Sequence, residues 1–223
     1  MVLQPDGVLP TGPEHICLDA MVLIGWNNAG HLDRLGKLLG RAYTADVITK
    51  REIPSGIGRF PQNRDILDVD WLVEAPVRDE DAELVANIHG IWGSDDHKDM
   101  GEAEIIALCN RHRWTAITDD RQGRGTLESY GARYAYRASL LICAAACGEQ
   151  DLDAASAWAI HREVEQGTHV ADERKYHRCI ALAKRVRERY NPTSWIELVG
   201  NPYIDHIIDV ADQRTPKRRL PSS

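Results

Sequence analysis

Carboxylates are the residues best able to do chemistry in this chain, because a few of its 34 aspartates and glutamates fall where burial is expected. Asp19 directly follows the apolar run Ile16-Cys17-Leu18 and precedes Met21-Val22-Leu23-Ile24. A charge wedged between apolar stretches is costly unless something neutralises it. If Gly101–Arg113 is helical, Glu102 precedes Ile105 and Ile106 by three and four positions and shares their inward face, whereas Glu104 points away from it. Asp119 and Asp120 close the run Trp114-Thr115-Ala116-Ile117-Thr118. Two strand-ending acids and one inward helical acid are the oxygen ligands that a hard divalent cation, Mg²⁺ or Mn²⁺, requires. Plainer roles compete with this one: Glu102 suits the positive end of its own helix, and Asp119 or Asp120 suits the cap of the next.

No other chemistry is as well supplied. The five cysteines, Cys17, Cys109, Cys143, Cys147 and Cys179, form no CxxC pair and no zinc-binding set, so they are expected as free thiols. Asp95-Asp96-His97-Lys98-Asp99 reads as a solvated loop. No phosphate-binding glycine loop is present, and no DxDx[TV] motif follows the first strand. A net charge of −7 argues against a generally basic nucleic-acid-binding surface, so any polyanion must be met by local patches. Lys50, Arg51, Arg121 and Arg124 are the nearest in sequence to the acids. Lys184, Arg185, Arg187 and Arg189 lie on a C-terminal helix, where they extend a phosphate track or balance Glu188 and other acids on a solvated face. Trp26 is close enough in sequence to Asp19 to stack a base.

The elements that must position these groups alternate. Strands are expected at Ile16–Leu18, near Tyr43, at Trp71–Val73, at Trp114–Thr118 and at 132–135. Helices are expected from Met21, at Leu32–Leu39 with Gly40 as stop, at Asp79–His89, at Gly101–Arg113, from about Gly125 to Tyr130, and at Ser139–Cys147. A helical turn carries Glu52 and is broken by Pro54-Ser55-Gly56, and residues 56–70 read as loop. Such alternation predicts an α/β fold with a parallel sheet of four to five strands flanked by helices. Beyond Gly148 the pattern turns wholly helical, at Leu152–Gln166, Asp172–Tyr190 and Tyr203–Asp212. The division is therefore a lead-in over 1–14, a catalytic domain over 15–150, an all-α extension over 151–213 and a basic tail over 214–223 with Lys217-Arg218-Arg219. No apolar run is long enough to cross a bilayer and the opening lacks a signal-peptide pattern, which predicts a soluble, cytoplasmic protein with no membrane partner.

Three runs carry a family resemblance: ICLDAMVLIGWNNAGHLDRLGKLLG, VITKREI and GEAEIIALCNRHRWTAITDDRQGR. Together they resemble the PIN (PilT N-terminus) nuclease domain, in the branch near VapC-type toxins, over about Ile16 to Gln166. Matched by residue, the family's four acids fall on Asp19, Glu52, Glu102 and Asp120, with Thr118 as the threonine of its Thr-x-Asp. The resemblance implies a Mg²⁺- or Mn²⁺-dependent endoribonuclease, with Asp19, Glu102 and Asp120 as metal ligands and Asp119 in reserve. Glu52 would complete the shell or orient water, and Lys50, Arg51, Thr118, Arg121 and Arg124 would meet the RNA substrate. It further implies a toxin restrained by an antitoxin protein, and a homodimer. One position departs from the pattern: the family commonly has Ser or Asn two residues after the first Asp, and here that residue is Met21. The departure supports the alternative of a catalytically weak PIN-like domain that acts through protein–protein contacts.

Overall fold

The computed structural model describes residues 9–92, 99–165, 170 and 172–212. Of the segments read above, Asp95–Lys98 and the basic tail lie outside the described residues. The chain opens with strand β1 (Ile16–Leu18), helix α1 (Ala20–Asn28), helix α2 (Leu32–Leu39) and strand β2 (Ala42–Ala45). A π-helical turn, Ile48–Glu52, runs straight into α3 (Ile53–Ile57), followed by a 3-10 turn at Pro61–Arg64, α4 (Asp65–Asp68) and β3 (Leu72–Ala75). Next come α5 (Ala82–Trp92), α6 (Met100–His112), β4 (Thr115–Ile117), α7 (Arg121–Ser129), β5 (Arg133–Ala135) and α8 (Arg137–Cys147). Helices α9 (Ala154–Glu165), α10 (Glu173–Tyr190) and α11 (Pro202–Asp212) complete the described chain.

The five strands form one parallel sheet in the order β3-β2-β1-β4-β5, the α/β architecture that the alternation implies. Cys17 pairs with Tyr43 on one side and Ala116 on the other. Every residue of β1 to β4 is buried, as a sheet covered by helices on both faces requires. Between β1 and β4 the strand order reverses direction, since β1 leads outward to β2 and β4 to β5. In such sheets a crevice opens outside the carboxyl ends of those two strands. Asp19 and the Thr118–Asp120 segment occupy those ends.

Two local expectations are corrected. Pro54 does not break the helical turn: it sits at the junction of the π-helical turn and α3, where the helical path continues through it. Residues 56–70 are not loop throughout: the Pro61–Arg64 turn and α4 lie there, pinned by buried Asn63 and Ile66 and by Asn27, whose side-chain amide donates to the Gln62 carbonyl at 2.8 Å. The helices beyond 151 share one continuous apolar core with the sheet, running from Ile16 to Ile208. Helix α8 is buried along nearly its whole length, with α9 and α10 packed against it and α11 packed on α10. Among the described residues no helix is long and apolar enough to cross a membrane.

Candidate active site

At the carboxyl end of β1 the chain turns directly into α1, and Asp19 is the hinge residue. Its backbone still donates to the Ile117 carbonyl at 3.2 Å, while its own carbonyl accepts from Val22 and Leu23. The side chain is therefore fixed by both sheet and helix, and it is only 3% exposed. Thr118, equally buried, donates from its hydroxyl to Asp19 Oδ2 at 3.1 Å and accepts the Asp120 amide at 3.1 Å. Burial pushes the Asp19 carboxyl up to about 6; Thr118 and the Ala20 and Met21 amides pull it down, and the nearby Glu52 charge adds to the rise.

Glu102 stands in the first turn of α6, half-buried. Its carboxyl is pushed up to about 8, first by burial and then by the negative charges of Asp19, Asp120, Asp99 and Glu52. Glu52 reaches the same place from the far side of the crevice, ending the π-turn and accepting the Gly101 amide at 3.0 Å. That approach needs glycine at 101, where a Cβ would run into Glu52 Oε1 and lie 2.9 Å from the Ile48 side chain. Burial raises Glu52 as well, the Gly101 amide lowers it and Asp99 adds to the rise. Asp120 caps α7 by accepting the Gly123 amide. The cap starts the helix at Arg121, earlier than the expected Gly125, because an aspartate there satisfies amides that would otherwise be orphaned. Asp19, Glu52, Glu102 and Asp120 thus share one electrostatic neighbourhood, and among the described residues none of them has an ion-pair partner.

The remaining sequence candidates divide. Asp119 turns away from the crevice: Arg137 Nε lies 2.9 Å from its Oδ2 and the Arg137 amide donates to Oδ1 at 3.1 Å. Thr118, expected at the substrate, is instead buried between two acids as their spacer. Lys50 is tied to Asp46 Oδ2 at 2.9 Å and Glu74 Oε1 at 2.8 Å, and these two acids hold its ammonium well above its ordinary range. Arg124 lies 4.1 Å over the Tyr136 ring and donates to the Asp119 carbonyl at 3.1 Å. Arg51 and Arg121 are exposed. Trp26 is fully buried, so it stacks no base. Met21 is 62% exposed on α1.

Two residues escaped the sequence reading. Glu104 does not point to solvent; it is half-buried, accepts the Val47 amide at 3.4 Å, and is raised to about 7 by burial and then by Asp46. Helix α6 is covered on several sides, with Gly101, Ala103 and Ile105–Cys109 all buried, so a one-face reading of it fails. Arg137 is the other. Its guanidinium is buried, pairs with Asp119, donates to the Met21 carbonyl at 3.3 Å, and passes so close to Gly25 that a Cβ there would collide with it. The signal available was a lone cation at the head of the uncharged run Ala138–Cys147.

Among the described residues no three histidine, cysteine or acidic side chains are already drawn together into a metal-holding group. Glu52 and Asp120 rest on backbone amides and Asp19 on a hydroxyl, the arrangement that spreads like charges apart when nothing positive stands between them. No family model, no curated protein and no solved structure matches the chain.

Proposed function

We propose that this chain is a divalent-metal-dependent endoribonuclease, with Asp19, Glu102 and Asp120 holding Mg²⁺ or Mn²⁺ and Glu52 completing the acidic wall. The observation that carries the reading is the group of acids at the sheet's switch point, where burial first and neighbouring negative charge second raise Asp19 and Glu102, and where none of the four acids has an ion-pair partner among the described residues. The donors fit such a cation in type, being carboxylate oxygens throughout. A cation bound there supplies the Lewis acidity that phosphodiester hydrolysis needs.

The chain's own residues do the rest. Asp19, locked by β1, α1 and Thr118, is the rigid member around which the others adjust. Glu52 and Asp120, which accept the Gly101 and Gly123 amides, would offer their remaining carboxylate oxygens to the cation. Glu102, half-buried in the first turn of α6 and close enough to feel the charges of Asp19 and Asp120, would complete the cation's carboxylate ligands. Arg51 and Arg121 offer exposed guanidinium groups for the phosphates on either side. RNA as substrate, an antitoxin protein that restrains the site and a homodimer come with this reading through the PIN resemblance. The alternative, a PIN-like domain acting through protein contacts, is favoured by exposed Met21 standing where the family pattern has a small polar residue.

Purified full-length chain incubated with mixed RNA and with single-stranded DNA, in Mg²⁺, Mn²⁺ or EDTA, tests the proposal. Cleavage is expected with metal only, and Asp19→Asn is expected to lower it on the order of 10²–10³-fold, as losing one preorganised electrostatic group does. Cleavage that survives EDTA or the substitution would sink the metal mechanism. Absence of cleavage in every condition, with the chain folded, would favour the protein-contact reading.

A further inference from the structure

Helix α10 is charged against the trend of the chain. Over Glu173–Tyr190, seven arginines and lysines stand against two glutamates, in a chain of net charge −7. Tyr176, Cys179, Ile180 and Ala183 turn into the core. At the helical period, Arg174, Arg178, Arg185 and Arg189 fall within about 60° of one another on the opposite side, and all four are exposed. None of them has an ion-pair partner among the described residues, Glu188 included. Like charges four positions apart, as at 174/178 and 185/189, work against the helix, so this ridge costs stability until an anion meets it.

The ridge ends at a second unusual feature. Tyr190 and Tyr203 are 48% and 60% exposed, with ring centroids 6.2 Å apart and planes tilted by 35°. The Arg189 guanidinium lies 6.0 Å from the Tyr190 ring centroid.

We propose that the α10–α11 face binds single-stranded nucleic acid, with phosphates along the arginine ridge and bases stacking on Tyr190 and Tyr203. The planar guanidinium fork matches phosphate oxygens in a way that an ammonium does not. From Arg174 to Arg189 the ridge runs about 22 Å at the helical rise, long enough for several successive phosphates of one strand. A basic track joined to open aromatic rings is how sequence-tolerant single-strand binders work, since stacking needs bases freed from a duplex. An acidic helical protein would instead use the apolar groove beside the ridge, walled by Leu182, Ile207 and Val210; the tyrosine pair and the line of guanidinium groups favour the nucleic acid. This surface is separate from the carboxylate crevice, and its test reads binding without cleavage.

Fluorescence anisotropy of the full chain, in EDTA, with labelled RNA and DNA single strands of about 12 nucleotides supplies that test, titrated between about 50 and about 200 mM salt. Arg178→Gln/Arg185→Gln is expected to weaken binding on the order of tenfold and to flatten the salt slope by about 1.4, or about 0.7 per lost phosphate contact. Tyr203→Ala is expected to weaken it on the order of tenfold with the slope unchanged. Lys37→Gln, exposed on α2, removes a positive charge off the ridge and should change neither. Circular-dichroism melting confirms that each variant is folded. Preference for RNA or for DNA tells which strand the face takes, and either supports it. Ridge variants that bind as the unaltered chain does, or a chain that captures an acidic amphipathic peptide and no single strand, overturn it. Because the titration reads binding in EDTA, where no cleavage is expected, a failed cleavage assay leaves this result standing.

Discussion

Asp119 and Asp120 are neighbours in the chain, yet Asp119 meets the buried Arg137 guanidinium at 2.9 Å while Asp120 opens onto the crevice with Asp19 and Glu102. On the Arg137 side a carboxylate is neutralised, its amide and guanidinium partners are in place, and the pair ties β4, α8 and the backbone of α1 together. On the crevice side three acids face one another without a cationic side chain among the described residues, and two of them are raised, to about 6 and about 8. Asp119, Asp19 and Glu102 are all buried or half-buried, whereas Asp120 stands exposed at the mouth of the crevice. Counter-charge separates the two regions, and it makes the first a structural joint and the second a place that gains by taking up something positive.

The largest expected effect breaks the balanced side. Arg137→Met leaves Asp119 without its cation, and losing one partner of a buried pair costs about 3–5 kcal/mol. Urea denaturation should show that loss, and one below about 1 kcal/mol would mean that the joint is not holding the three elements. Gly101→Ala comes next, because its Cβ collides with Glu52 and crowds Ile48. A cost of about 1–3 kcal/mol is expected, and it should shrink in a Glu52→Ala background, where the colliding oxygens are gone. An unchanged cost in that background would place the strain elsewhere.

The smallest effect sharpens the unbalanced side. With Glu102 raised to about 8, the folded chain holds its proton more tightly than the unfolded chain does from the ordinary carboxylate value, about 4.3, up to about 8. Stability therefore falls as pH rises through that window. Glu102→Gln should raise the melting temperature at pH 8 by about 2–4 °C, on the order of 1 kcal/mol for a chain of this size, and do nothing near pH 4. Adding Mg²⁺ at pH 8 should raise the melting temperature of the unaltered chain more than that of the variant. Equal responses to Mg²⁺ would remove Glu102 from the cation's neighbourhood.

Much of the sheet was legible because parallel strands buried on both faces read as short apolar runs, as β1, β3 and β4 do, whereas β2 (Ala42-Tyr43-Thr44-Ala45) showed only as a short strand near Tyr43. Asp19 was legible for the same reason, as a charge where the run stops. Glu104 and Trp26 were misread because each was judged from its neighbours along the chain. Asp46 and Val47 come to Glu104 from more than fifty residues away, and Trp26 is closed in by packing that no local pattern announces. Pro54 was misjudged because the π-helical turn ahead of it, which no local pattern announces, carries the helical path on into α3.

By itself the sequence determined the alternation of strands and helices, which acids ended β1 and β4, and that the chain beyond Gly148 would be helical, since hydrophobic period and punctuation are local properties. The tertiary structure alone decided which carboxylate is neutralised and which is not. Asp119 and Asp120 are the same residue type at adjacent positions, yet one is half-buried against the Arg137 guanidinium, which crosses the backbone of Gly25, while the other is exposed and caps α7. Electrostatic partnership acts through space over a few ångströms, and nothing in the order of the residues encodes that distance directly.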